Sequence, residues 1–185
     1  MNELVYLIIL IIISYLTGST PTSIIIGRIT KNIDIREHGS GNAGGTNVFR
    51  VLGWKPALIV VIIDVFKGWL PAAIFAPAFY YAQIIPDLGV LQILCGFSAV
   101  LGHTYTIFAG FKGGKGVGTI GGMLIALFPI AFPFCLAIAV ITVMLTGYVS
   151  LASILAAVSL PIFLLLLPPF LVQIQLHFHL WSLAY

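Results

Sequence analysis

The run VGTIGGMLIALFPIAFPFCLAIAVITVML, residues 117–145, decides how the chain is laid out. Its 29 residues carry no charge, and as one α-helix they would rise about 44 Å against a bilayer hydrocarbon core of about 30 Å. Pro129 and Pro133 offer a break, because proline lacks the N–H that a helix interior needs and clashes with the preceding turn. Two short helices meeting near these prolines return the chain to the side it left, whereas one tilted helix would leave Thr146 on the opposite side. The two-helix reading is preferred, and it fixes which face sees Tyr148 to Ser153.

A bilayer is the relevant solvent because 61% of the 185 residues are hydrophobic, 7% are charged and the mean hydropathy is +1.17. Further apolar stretches run from about Leu4 to Ile26, Pro56 to Phe79, Leu88 to Ala109 and Ser150 to Leu171, and a last one starts near Leu176. Each full stretch matches the roughly 20 residues a spanning helix needs. The sequence therefore predicts an all-α, polytopic integral membrane protein. It has six full transmembrane helices and a partial seventh, with residues 1–185 as a single membrane-embedded domain. A soluble enzyme is excluded. Five carboxylates in the whole chain also disfavour a magnesium or calcium site, which needs several oxygen ligands held together.

Charge orients the spans. Arg28, Lys31, Arg36, Arg50 and Lys55 fall between the first two, and Lys112 and Lys115 lie just before Val117. The positive-inside rule places both segments in the cytoplasm and the N-terminus outside. The first stretch reads as an anchor, not a cleavable signal, because Glu3 occupies the n-region and no small-x-small site follows. Cys95 and Cys135 each lie alone in an apolar span, so packing is their expected role, with neither a disulfide nor a metal site. Nothing points to a nucleic-acid partner.

Two segments carry the candidate chemistry. His38-Gly-Ser-Gly-Asn-Ala-Gly-Gly-Thr-Asn-Val-Phe-Arg50 combines glycines with hydroxyls (Ser40, Thr46), amides (Asn42, Asn47) and an arginine fork at Arg50. Such a loop suits an anion, since Gly41 and Gly44 let backbone N–H groups converge, though an ordinary Gly/Asn turn remains the plainer alternative. Phe111-Lys-Gly-Gly-Lys-Gly-Val-Gly-Thr119 repeats the logic. Lys112, Gly113, Gly114, Lys115 and Gly116 precede a helix N-terminus, which reinforces phosphate binding, although the lysines alone could merely enforce topology. Gly39 to Gly44 and Gly116 to Gly121 both match G-x-G-x-x-G, but neither follows a strand as a dinucleotide fold requires. The second segment is no Walker A loop, having Ala109 and Gly116 at defining positions.

Other polar residues in the spans carry two readings each. Asp64 and Lys67, at i and i+3, most simply neutralise one another inside the bundle. His103 is either a general base or a helix-end histidine. Ser150 and Ser153 lie one helical turn apart, where serine commonly bonds back to its own helix. His177 and His179 are read as interfacial.

The stretch Ser40 to Arg50, S-G-N-x-G-x-T-N-x-x-R, and Gly102 to Thr119, G-H-x-x-x-x-F-x-x-F-K-G-G-K-G-V-x-T, resemble the acyl-phosphate-dependent glycerol-3-phosphate acyltransferases of bacterial membranes, the PlsY family. Asp64 to Gly68 and Tyr148 to Ser153 share the likeness, which covers most of residues 14–160. The resemblance implies seven helices in the bacterial inner membrane and a cytoplasmic site. It implies acyl phosphate and glycerol 3-phosphate as substrates, lysophosphatidic acid and phosphate as products, and no cofactor. It also admits functional coupling to a soluble enzyme that forms acyl phosphate. On this basis Ser40, Arg50, Lys115 and His103 are the candidate catalytic residues. Gly41, Asn42, Gly44, Thr46, Asn47, Lys112, Gly113, Gly114, Gly116, Ser150 and Ser153 are the candidate substrate contacts. The family's His-Arg-x-Asn-Ile type block finds no match, and residues 176–185 would rise only about 15 Å as helix, so the seventh helix reads as incomplete. The two rival readings are a small anion transporter and an inactive remnant of the acyltransferase.

Overall fold

In the computed structural model, which describes residues 3–80 and 87–166, every regular element among those residues is helical. They are α1 (Glu3–Gly18), α2 (Thr22–Lys31), α3 (Gly45–Leu52), α4 (Trp54–Leu70), α5 (Ala76–Tyr80), α6 (Leu88–Thr104), α7 (Val117–Leu127), α8 (Phe132–Thr146) and α9 (Val149–Leu166). A π-helical turn at Pro71–Phe75 joins α4 to α5, and short 3₁₀ turns occupy Ile35–Glu37 and Ile107–Ala109. Four of the resulting helical segments are long and apolar enough to cross a membrane: Leu4–Lys31, Trp54–Tyr80, Leu88–Ala109 and Val149–Leu166. α7 and α8 are shorter apolar helices, separated at residues 128–131 by Pro129, so the stretch 117–145 is two helices as its prolines predict. The partial span expected from Leu176, with His177 and His179, lies outside the described residues.

The chain forms two compact units that divide after Leu127. In the first, large side chains such as Ile8, Ile12, Leu58, Ile62, Phe66, Ile93 and Phe97 face outward. That much exposed apolar surface suits lipid and would be a liability in water. With lipid outside, helices associate mainly through close packing, which the glycines provide. A β-carbon at Gly122 would overlap the Val65 carbonyl and one at Gly68 the Thr119 carbonyl, so α4 and α7 meet backbone to backbone. Leu10, Leu91, Cys95 and Ala76 form one buried cluster between α1, α5 and α6. In the second unit α8 and α9 pack together. Phe134 and Phe163 meet at 5.1 Å, and Ser159 donates back to Ala156 O at 2.8 Å.

Two expectations need correction. The first apolar stretch, read as one helix, is broken between Gly18 and Thr22. Pro21 has no N–H to extend α1, and Gly18 packs so closely that a β-carbon would overlap the Ala99 carbonyl. The chain then resumes as α2, which runs past the expected boundary to Lys31 and is capped by Asn32 in the left-handed region (φ 54°). Second, the anion motif is half helix, because Gly45–Leu52 forms α3. Its Val48 is buried with Ile35 and Val60 in a cluster that roots the connection between α2 and α4. Burying Ile35 and Val48 contributes roughly 1.5–3 kcal/mol each. The glycines and amides of the motif obscured this apolar spacing.

Candidate active site

Asp34 organises the first connection. Its Oδ1 accepts from Arg36 N at 3.0 Å, and the Arg36 guanidinium grips the same carboxylate through Nε to Oδ1 at 3.0 Å and Nη2 to Oδ2 at 2.7 Å. The free Nη1 then donates across to Ala109 O at 2.8 Å and reaches Lys112 O at 3.5 Å. Thus Arg36, which sequence reasoning passed over, ties the two candidate loops together. The guanidinium's hydrogen bonds hold the Asp34 carboxyl down at about 2, and the carboxylate raises the Arg36 pKa in return.

Asn47 closes the loop that presents Ser40 and Gly41. Its Oδ1 accepts from Ser40 N at 2.8 Å, while Nδ2 donates to Ile35 O at 3.0 Å and His38 O at 2.9 Å. The amide is 2% exposed and both its hydrogens are engaged, so it supports the loop in this structure and does not point outward. Gly39 and Gly41 take φ values of +62° and +73°, which lets the chain turn tightly. Ser40, Thr46 and Arg50 are exposed, Asn42 is half-buried, and Gly44 stands extended just before α3.

The second loop folds back on the end of α6. Gly113 N donates to Thr104 O at 3.0 Å and Gly114 N to His103 O at 3.1 Å, so these N–H groups serve carbonyls that the helix end leaves unpaired. This corrects the expectation that they cradle a phosphate directly. What the glycines supply is proximity: a β-carbon at Gly113 would overlap His103 O, and one at Gly114 would overlap the His103 ring and crowd Ala43 O. Gly116 turns the chain at φ +76° into α7, whose first intrahelical bond runs from Ile120 N to Gly116 O at 2.8 Å. The amides preceding Ile120 therefore form the positive end of that helix, beside exposed Lys115. Lys112 is exposed as well.

Between the loops and the α1/α2 break lies a narrow cleft. One wall is Thr20 to Ile24, another is Ala43, Gly113 and Gly114, and the floor carries Asp64, Lys67, His103 and Thr106. Lys67 Nζ lies 2.8 Å from Asp64 Oδ1 as a buried ion pair and also donates to Thr20 O at 2.9 Å. Thr106 Oγ1 donates to Ser19 O, so neighbouring side chains satisfy the carbonyls freed by the break. His103 Nδ1 stands 3.7 Å from Asp64 Oδ1. Mutual neutralisation of Asp64 and Lys67 was legible from their spacing. The wall at Thr20–Ser23 was not, although its polar run around Pro21 inside an apolar stretch was the available signal.

His103, Gly113 and Gly114 thus meet on one cleft, and the first motif meets it through Ala43. Ser150 and Ser153 belong to α9 in the second unit. Ser150 is exposed, and Ser153 Oγ bonds back to Val149 O at 2.9 Å. Among the described residues no group of three His, Cys, Asp or Glu is placed to hold a metal ion.

The tie through Arg36 makes a prediction. Because the folded Asp34 pKa is depressed from 3.8 to about 2, the ionised pair supports the loops above about pH 4 and this support is lost as pH falls toward about 2. Amide exchange at Phe111 and Gly113, corrected for the intrinsic rate, should accelerate over that window. In Asp34→Asn it should be fast and flat throughout. Equal protection of the two proteins at neutral pH would refute the tie.

Residues 8–184 match the family described as glycerol-3-phosphate acyltransferase. The glycerol-3-phosphate acyltransferase of Chlorobaculum parvum is 52% identical over 158 residues, 83% of this chain and 68% of that protein. That of Chlorobium phaeobacteroides strain BS1 is 52% identical over 161 residues, covering 84% and 68%. The crystal structure of PlsY (YgiH), an integral membrane glycerol 3-phosphate acyltransferase, in its glycerol 3-phosphate form superposes with a TM-score of 0.75. The identity is 38%, over 86% of this chain and 76% of that one. Its lysophosphatidic acid form gives 0.73 at 37% identity.

Proposed function

Because the chain belongs to the glycerol-3-phosphate acyltransferase family and is a membrane acyltransferase that forms lysophosphatidic acid from glycerol 3-phosphate, we propose acyl phosphate as its donor and the cleft between the two loops as the place of transfer. The observation that carries this reading is a division of charge. Arg50, Lys112 and Lys115 are exposed, and no ion pair neutralises them among the described residues, although each stands on or beside a loop that reaches the cleft. An enzyme whose two substrates both bear phosphate needs such uncompensated cations more than it needs a nucleophile.

The proposed step is direct. The acceptor hydroxyl oxygen attacks the acyl carbonyl carbon, the bond from that carbon to the phosphate oxygen breaks, and the hydroxyl proton passes to an oxygen of the departing phosphate. An acyl phosphate is a mixed anhydride with a good leaving group, so alignment and charge neutralisation supply most of the acceleration. Lys115, Arg50 and Lys112 would hold phosphate, with Ser40, Thr46 and Asn42 as further donors. Gly41, Gly44 and Gly116 would give the backbone its approach, and Asn47, Gly113 and Gly114 would fix the loops. His103, wedged against Gly114, would set the cleft floor beside the reacting hydroxyl.

We further propose six full transmembrane helices and a partial seventh, an external N-terminus and a cytoplasmic site in a bacterial inner membrane, with residues 1–185 as one catalytic domain. The loop cations support this through the positive-inside rule. Acyl phosphate would arrive from a soluble enzyme, its tail entering between helices from the inner leaflet. Purified protein in nanodiscs given palmitoyl phosphate and glycerol 3-phosphate should release lysophosphatidic acid and inorganic phosphate in equal amounts, and should not use palmitoyl-CoA. Preference for the thioester would overturn the donor assignment.

A further inference from the structure

α6 stops short of a full crossing. Its 17 residues, Leu88–Thr104, rise about 26 Å against a hydrocarbon core of about 30 Å, so the turn that follows begins at the boundary between acyl chains and headgroups. The outward apolar surface does not end with the helix. Ile93, Phe97, Leu101 and Tyr105, spaced by four, form an exposed stripe, and Phe108 and Phe111 carry it onto the turn at 63% and 58% exposure. The backbone there holds these rings out. Phe111 follows left-handed Gly110 and itself takes a φ of 60°, a conformation unfavourable for a bulky side chain. Neighbouring bonds enforce it: Thr106 O accepts from Ala109 N at 3.2 Å and from Phe111 N at 2.8 Å, and Arg36 Nη1 donates to Ala109 O at 2.8 Å.

The fold gains little packing from a ring left mostly exposed, so strain at Phe111 points to a partner outside the protein. Irregular backbone at membrane depth must pair its polar groups within the protein, and the bonds to Thr106 O and Ala109 O do so. Lys112 and Lys115 follow directly and are exposed. Aromatic rings beside cations suit a membrane interface, where the charges meet anionic headgroups and the rings reach the acyl chains below. We infer that Phe108 and Phe111 are a lipid anchor, which seats the loop bearing Lys112 and Lys115 at headgroup depth in the leaflet on its own side. The anchor goes beyond the acyl-transfer reading and stands without it. Its consequence for that reading concerns the donor, since acyl phosphate is an amphiphile whose phosphate lies level with the seated lysines.

The test uses the full chain in nanodiscs containing phosphatidylglycerol. On a background of Trp54→Phe, Trp69→Phe and Trp181→Phe, which removes the native tryptophans, Phe108→Trp and Phe111→Trp are introduced singly. Lipid brominated near the headgroup end of its acyl chains should quench both reporters several-fold, and iodide in the water should quench them little. In the unsubstituted chain, hydroxyl-radical oxidation of Phe108 and Phe111, corrected for intrinsic reactivity, should be several-fold slower than that of exposed His38. Emission quenched by iodide and indifferent to bromine would overturn the anchor and leave the rings as a contact for a soluble protein. Oxidation of both rings at the His38 rate would do the same without any variant having to fold. Phe108→Ser/Phe111→Gly should raise KM for palmitoyl phosphate several-fold and leave that for glycerol 3-phosphate unchanged, whereas an equal rise in both would reduce the rings to local structure. Absence of transfer by the wild type would sink the acyltransferase reading alone, because quenching and oxidation need no turnover.

Discussion

Replacing Arg50 and Lys115 together by alanine is expected to lower kcat/KM for glycerol 3-phosphate by on the order of 10²–10⁴, without reducing the amount of protein in the membrane. Hydrogen bonds to a charged phosphate are worth about 1.5–3 kcal/mol each, and two such contacts from separate loops should add approximately. Folding should be spared because both side chains are exposed and neither enters an ion pair among the described residues. Arg50→Lys should recover little, since an ammonium cannot reproduce the planar fork that binds phosphate through two N–H groups. Steady-state kinetics at several concentrations of each substrate would locate the loss. A rise in KM alone marks uniform binding, whereas an equal fall in kcat and kcat/KM marks contacts made only in the transition state. Kinetics unchanged in the double variant would remove the loops from the reaction.

How far the sequence revealed this arrangement depended on which physical signal each part left. The spans were legible because a bilayer demands length and apolarity, and the division of residues 117–145 because a continuous helix there would be too long for the bilayer and its prolines offered the break, whereas α9 runs on through Pro161. Asp64 and Lys67 were legible as a pair because three residues place two side chains on one face. The α1/α2 break was missed because mean hydropathy over the first stretch stays high across it. Only the local run Ser19-Thr-Pro-Thr-Ser23 betrays a place where carbonyls must find side-chain donors, and Lys67 and Thr106 were the donors. The same kind of backbone accounting, closed at the end of α6, turned Gly113 and Gly114 from expected phosphate ligands into partners of Thr104 and His103. Motif composition shows that a loop has glycine and amide to spend. It does not show where the hydrogen bonds go.

Asn47 gives that distinction its sharpest test. Asn47→Ala is expected to lower activity by about 10²–10³ by releasing the loop and not by removing a substrate contact. The substitution strands Ile35 O, His38 O and Ser40 N, whose three bonds to one amide are each worth about 1 kcal/mol when intact and cost more if left unpaired. The helices packed through Gly68 and Gly122 share none of these bonds, so the thermal midpoint of the bundle should fall by a few degrees at most. Amide exchange and protease cleavage across residues 38–47 should rise steeply. Gly39→Ala should give the same phenotype by a different route, because its β-carbon would overlap Asn47 Oδ1 at a residue that already needs a φ of +62°. A displacement of about 1 Å in the reacting groups is enough for a hundredfold loss, so the support need not touch substrate to matter this much. If Asn47→Ala lost activity while exchange across residues 38–47 stayed at the wild-type level, Asn47 would be a direct ligand and the bonds described above would not be what holds the loop.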